Sequence, residues 1–352
     1  MDRSKELSDV DLFEKIELIP LETQDASLVG RLKKIITVKD KYYITVDEKH
    51  IVTIFDNNGK YISNSSKMYG NGPGEYMIYS DIAYNSQTNK IEILNSTGIK
   101  AYDNQFDFSY KRELPDNMLF HRFYPIGSDE YILINGIYNP ESLYFFDSKK
   151  SAFSDTITYD HFATVTANNP PFSQVGSTQY FCPYSASYYI FTLDCQKHSL
   201  TPVFQFDFGS KNIDPKQLSR FGLNGREKNP ENEYSVGTEI NDFLLNESNL
   251  PLPLKSLVSD QYLVTWIIRN NKPYYNIYNT KTKKGQLMPY PSKIKDRNPY
   301  FFAIDGNVLI ALVQPYELSN YVDMNLVNPE DKEKVKQLTE ESNPVIVRYY
   351  IK

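Results

Sequence analysis

One short pattern returns along this chain at near-constant spacing, and it restricts the fold more than any other feature. A strand ends in aspartate or asparagine, a turn follows, and a second strand begins. The pattern is Ile51–Asp56, Ile99–Asp103, Leu143–Asp147, Tyr189–Asp194 and Tyr275–Asn279. Its terminal residues lie 47, 44 and 47 positions apart, then 85, which is one repeat plus an insertion. A period of about 40–50 residues carrying several strands is that of a β-propeller blade.

Each repeat divides into four strands, A to D. Blade one takes 34–38, 42–46, 51–56 and 60–64, with Asn58-Gly59 in its C–D turn as a hairpin signal in which both residues accept positive φ. Blades two to five occupy 80–113, 120–158, 172–208 and 255–289. Blade six has strands near 300–304 and 308–313 and a third at Val345–Tyr350. Lys15–Leu21 supplies its missing fourth strand, so the two chain ends close the ring and leave no open edge. Pro20 suits an outermost strand, which can spare a ladder donor. The expectation is an all-β, six-bladed propeller: one domain over 15–352 behind an N-terminal extension, 1–14. Two helices are readable in its insertions. One has Asn328 as cap and Pro329 at its first position; the other runs from Asp214-Pro215 to Gly222.

Aromatic content supports the sheet reading. The chain has 29 Tyr, 20 Phe and 1 Trp, and such side chains fit a pleated, half-buried surface. They also suit a binding surface. Net charge is −6 and no long basic run exists, which excludes nucleic acid as a partner class. No stretch approaches the ~18 apolar residues of a membrane span. Met1 leads into charged Asp2–Glu6, which is no signal peptide and points to the cytosol. Cys182 and Cys195 would flank one hairpin out of register, so two packed thiols are expected and not a disulfide.

Strand order puts the A–B and C–D turns at one face of a propeller and the other connections at the opposite face. The first group is short throughout. The second contains 65–79, 157–171, 209–254, 290–299 and 314–343. Long insertions on one face mark where binding or catalysis sits, although they also serve to cap a channel. Strand A starts at that face, so Arg31, Asp81, His121, Arg122, Gln174 and Tyr300 should ring the channel mouth. Both charge signs with aromatics suit a polar small molecule, glycan or peptide; each residue alone also reads as a salt-bridged or solvated side chain.

Gly70-Asn71-Gly72-Pro73-Gly74-Glu75-Tyr76 resembles a dinucleotide fingerprint only superficially. Glu75 stands at the last glycine position and no βαβ pattern surrounds it. It reads as a shaped loop with several positive-φ glycines, in which Asn71, Glu75 and Tyr76 face a ligand or brace the backbone. Nucleophile-elbow, zinc-protease and P-loop motifs are absent. His50, His121, His161 and His198 show no metal-ligand spacing. No metal, cofactor or catalytic residue is therefore assigned. Asn64, Asn95 and Asn246 head glycosylation sequons.

These residues resemble the uncharacterised six-bladed propellers of Bacteroidetes, distant relatives of NHL-repeat propellers. The likeness rests on Ile19–Thr23, Val29–Arg31, Gly70–Tyr76, Phe206–Gly209, Gln314–Leu318 (with Tyr316 a further candidate contact) and Asn343–Val345. It implies an exported protein of the periplasm or outer membrane, often lipid-anchored. The expected function is a non-catalytic module that binds a glycan, peptide or envelope protein on the long-loop face. A hydrolase or lyase at the channel mouth and a structural scaffold are the alternatives.

Overall fold

The recurring acid shapes the last turn of each repeat. Asp56 Oδ1 accepts from the backbone N–H of Asn58 (2.8 Å) and Lys60 (2.9 Å). Asp103 takes Gln105 and Asp107 in the same way, both at 2.9 Å. Asp147, Asp194 and Asn279 each take the N–H groups two and three residues on. A short side chain that imitates a backbone turn is the reason Asp or Asn recurs there. Each turn then needs one left-handed residue: Gly59, Phe106, Ser151, His198 and Lys283 have φ between 48° and 83°. The expectation that Asn58 and Gly59 both take positive φ is corrected. Only Gly59 does (φ 83°), because Asp56 caps a longer turn closed by Asp56 N–H to Lys60 O.

The protein is described by a computed structural model covering residues 12–38, 41–115, 120–135, 142–159, 171–183, 187–213, 221, 235–236, 238–240, 242–247, 249–270, 272–289 and 300–352. Strand β1 is Phe13–Pro20. Blade one is β2 (Leu32–Val38), β3 (Tyr42–Asp47), β4 (Val52–Asp56) and β5 (Tyr61–Asn64). Blade two is β6 (Asp81–Asn85), β7 (Lys90–Asn95), β8 (Gly98–Tyr102) and β9 (Phe108–Arg112). Blade three is β10 (Phe120–Pro125), β11 (Glu130–Asn135), β12 (Ser142–Asp147) and β13 (Ala152–Thr158). Blade four is β14 (Phe172–Val175), β15 (Thr178–Phe181), β16 (Tyr189–Asp194) and β17 (Ser199–Gln205). Blade five is β18 (Leu252–Val258), β19 (Tyr262–Arg269), β20 (Lys272–Asn279) and β21 (Lys284–Pro289). Blade six is β22 (Phe301–Asp305), β23 (Val308–Val313) and β24 (Val345–Ile351), completed by β1. Six four-stranded sheets make the chain a six-bladed β-propeller, as its repeats require.

The described residues fall into two compact units. One draws on 132–146 and 153–289, the other on 12–131, 147–152 and 300–352. In the first, Ile190, Leu252, Leu254 and Leu263 anchor the core, with Cys182 buried beside them. Neither cysteine is in a disulfide. Phe181 pairs with Phe191 across β15 and β16, which places Cys182 and Cys195 out of register. In the second, Ile44, Val46, Val52 and Ile54 of blade one pack on Ile82, Ile91, Ile93 and Tyr102 of blade two. Phe106 joins them, fully buried, from its left-handed position. That backbone costs roughly 1–2 kcal/mol; burying the ring returns about 1.5–3 kcal/mol.

Blade six contains both ends of the propeller. β1 pairs antiparallel with β24, from Phe13 opposite Ile351 to Pro20 opposite Val345. The strand begins before the expected Lys15 because Phe13 packs on Tyr349, centroids 5.1 Å apart. β1 is the outermost strand, and helix α2 covers part of its free edge. α1 is Leu318–Tyr321 and α2 is Pro329–Lys336. Asn328 caps α2 by accepting from Asp331 N–H. The Asp331 carboxylate in turn accepts from Leu18 N–H (3.1 Å), Asn328 Nδ2 (3.0 Å) and Lys334 Nζ (2.9 Å). Asp331→Ala strands a buried edge donor, so chemical denaturation should show a loss of about 1–3 kcal/mol; Asp331→Asn should lose less. The expected helix from Asp214 to Gly222 lies, but for Phe221, outside the described residues, as does His161.

Candidate functional site

In each sheet the A–B and C–D turns lie at one end and the remaining connections at the other. In the unit holding blades six, one and two, that second end carries 21–31, 65–80 and 314–344. Three of the motif segments converge there on one side chain. Asn343 Oδ1 accepts from Val29 N–H (2.9 Å), and its Nδ2 donates to Glu22 O (2.7 Å) and Ser27 O (2.8 Å). Its own N–H donates to Thr23 Oγ1 (2.9 Å). A buried amide with every group paired rigidifies the connections it joins.

The glycine loop is built from the inside. Glu75 turns back so that its carboxylate accepts from Gly72 N–H (2.9 Å). A β-carbon on Gly70 would run into that carboxylate, and one on Gly74 would lie 2.9 Å from Phe108 Cγ. The expected positive φ is corrected: none of the three glycines has one. What they provide is close approach. Tyr76 is fully buried; its hydroxyl meets Ser65 Oγ and donates to His50 O (3.0 Å). Burial pushes that phenol far above its ordinary value. Tyr102 OH donates to Gly74 O (2.9 Å), and Lys100 Nζ donates to Glu75 O. Glu75 and Tyr76 thus brace the loop, while Asn71 is exposed at its tip.

The innermost strands of blades one, two and three meet at Asp81. Lys34 on β2 donates to Asp81 Oδ1 (2.6 Å) and to Ile82 O (2.5 Å). Asp81 Oδ2 accepts from Phe123 N–H on β10 (3.2 Å). Burial holds the Lys34 ammonium below its ordinary pKa; Asp81 opposes this and Arg122 adds to it. Arg122 Nη1 donates to His121 O (2.6 Å) and Ser80 O (3.3 Å). His121 is exposed on one side, and partial burial followed by Arg122 keeps its imidazole below the usual value. His50 lies edge-on to Tyr79 at 4.6 Å.

The structure therefore brings Asp81 and Arg122 to one place, with His121 beside Arg122 in the chain. Sequence reasoning missed Lys34, because its partner lies 47 residues away on another blade. Arg31 is exposed near the start of β2, Tyr300 stands edge-on to Phe302 at 4.9 Å, and Tyr316 is 59% exposed. Gln174 belongs to the other unit, where its Nε2 donates to Gly176 O (3.2 Å). Also missed were the exposed apolar side chains at this end: Leu28, Tyr69, Met77 and Ile78, the last 72% exposed. Their only sequence signal is apolar residues inside a long connection. Among the described residues, no three His, Cys, Asp or Glu gather closely enough to hold a metal ion. None of the helices described is long and apolar enough to cross a membrane.

A family model, described as a domain of unknown function (DUF4934), matches residues 1–350. The chain belongs to this family. No curated protein matches it. Among solved structures, it is similar to a putative exported protein from Bacteroides fragilis, with 17% identity over 98% of this chain and 96% of that one, at a TM-score of 0.75. It is also similar to a member of the DUF4221 family from Bacteroides vulgatus, with 12% identity over 97% of each chain, at a TM-score of 0.54. Identities this low carry the fold and nothing finer. Within this chain, the propeller brings several of the quoted motifs together. Asn343 ties Ile19–Thr23 and Val29–Arg31 to the strand that closes blade six, and Gly70–Tyr76 links blades one and two.

Proposed function

We propose that this chain is a non-catalytic binding propeller of the cell envelope. It engages a peptide or partner protein at the long-connection end of blades six, one and two. One observation carries the reading. Of seven large apolar side chains exposed among the described residues, five lie on connections at that end: Leu28, Tyr69, Met77, Ile78 and Tyr316. Exposed apolar side chains gathered on one surface mark interaction sites on soluble domains. Arg31, His121 and Arg122 lie at the same ends of the innermost strands and supply a polar rim, the usual surround of an interface core. Asn343 and Glu75 hold the connections in place, so a partner meets a surface that needs little ordering. The envelope location is supported by the likeness to an exported Bacteroides protein.

A photo-crosslinking residue tests this directly. Placed at Ile78 or Tyr316 and irradiated in envelope fractions, it should give a discrete adduct that unlabelled chain competes away. Unlabelled Ile78→Asp/Tyr316→Ser chain should compete poorly. The same probe at Val203, exposed in the other unit, should give no adduct. Equal labelling at Val203, or equal competition by the double variant, would falsify the assignment.

A further inference from the structure

The opposite end of the same sheets, where every turn is short, holds a cavity of about 360 Å³. It lies within one unit, between blades one and two. Its lining is Lys41 from the A–B turn of blade one, Tyr84, Asn89 and Ile91 from the β6–β7 hairpin, and Asp103 and Asn104 from the C–D turn of blade two. From these residues we infer a second binding site, selective for a neutral sugar of one or two rings.

The chemistry of the lining points to that class. Tyr84 pairs with Ile91 across β6 and β7, which supplies an aromatic side chain next to a buried aliphatic one. Asn89 stands in the left-handed region (φ 53°) at the end of the hairpin turn. Its Oδ1 accepts from Tyr84 OH (3.0 Å) and from Lys41 Nζ (3.3 Å). Two donors on one amide oxygen fix the amide plane and leave its NH2 as a directed donor. Asp103 Oδ1 is already committed to the N–H groups of Gln105 and Asp107, which fixes the carboxylate and leaves its second oxygen as an acceptor. Asn104 is anchored by Ser63 Oγ, which donates to its carbonyl (2.6 Å).

The site thus offers oriented donors from Lys41 and Asn89, an oriented acceptor from Asp103, and a ring beside an apolar wall. One ammonium and one carboxylate balance, so a charged ligand gains no net attraction. Hydroxyl groups, each both donor and acceptor, match such a lining, and the aromatic ring suits the C–H face of a pyranose. The volume is near the low end of ligand cavities, which run from about 300 to 1,000 Å³. A long chain would not be enclosed. The site is independent of the docking surface: it shares no residue with it and sits at the other end of the sheets.

The test is a titration of the intact chain, labelled at isoleucine methyl groups, with glucose, galactose, mannose, N-acetylglucosamine, cellobiose and maltose. Glycine and alanine serve as zwitterionic controls. At least one sugar should shift the Ile91 methyl resonance saturably. Asn89→Gly keeps the left-handed turn, and Asp103→Asn keeps the turn-capping oxygen, so both should fold. Each should weaken that sugar roughly tenfold, the effect of losing one good hydrogen bond. Ile78→Asp should leave sugar binding unchanged, which separates this inference from the docking surface. No shift with any sugar overturns it, as does binding that survives Asn89→Gly unchanged. A response to the amino acids and not the sugars overturns the ligand class.

Discussion

Glu92→Gln is expected to remove a loss of stability that the protein suffers as pH rises from about 4.5 to 7. Glu92 lies on β7 with no solvent exposure. Its Oε1 accepts from Tyr110 OH (2.7 Å), Asn85 Nδ2 (3.1 Å) and Tyr131 OH (3.1 Å). Those groups come from β9, β6 and β11, and Asn85 also donates to Gly127 O (3.0 Å). The carboxyl therefore sits where blade two meets the start of blade three. Burial raises its pKa to about 7; the hydrogen bonds from Tyr110, Asn85 and Tyr131, and then Arg112, pull the other way. Arg112 is spread over the Tyr110 ring at 4.4 Å and paired with Asp129, so it offsets only part of the cost of burial. The folded pKa is above the unfolded value near 4.5. Stability is then fully present below pH 4.5 and is lost as pH rises through 7. At about 1.4 kcal/mol per pKa unit, the loss is roughly 3 kcal/mol. The substituted glutamine is neutral throughout and retains an oxygen for the three donors, at the cost of a buried NH2. Denaturant melts at pH 5 and pH 8 should show a wild-type decline that the variant lacks. Parallel declines in the two proteins would show that Glu92 is ionised in the fold at both values.

The contrast between what the sequence disclosed and what it hid has a physical origin. The propeller was legible because its signal is local and repeated. Asp56, Asp103, Asp147, Asp194 and Asn279 each act within four residues. Blade six was legible because Pro20 and the apolar run Val345–Tyr350 complement each other as edge and interior strands. The site was less legible because its determinants are distant in sequence. Glycines at 70 and 74 announce an unusual loop, but not that the carboxylate of Glu75 and the ring of Phe108 are what they make room for. Tyr76 looks like a ligand contact in a loop, yet its acceptor is the carbonyl of His50, 26 residues earlier. The cavity at the short-turn end left no trace at all. Its residues are ordinary turn and strand residues, brought together by the packing of two blades.

Lys255→Met is expected to raise stability at pH 7, and by progressively less toward pH 10. Lys255 lies on β18, 4% exposed, near Cys182, Ile190 and Phe206. Burial holds its ammonium well below the ordinary value of 10.5. Burial penalises the cation, so the fold favours the neutral amine. The folded pKa is depressed. Between that value and 10.5 the unfolded chain holds a proton that the folded chain does not, so wild-type stability climbs with pH across this window. Methionine has similar reach, no charge and a flexible stem that fits an irregular space. The difference between variant and wild type should shrink as pH rises and flatten near 10.5. A constant difference from pH 7 to 10 would mean that the amine is not titrating with folding. The neighbouring Cys182 thiol, pushed up to about 12 by burial, fits a surrounding that opposes charge of either sign, and it should resist alkylation until the blade opens.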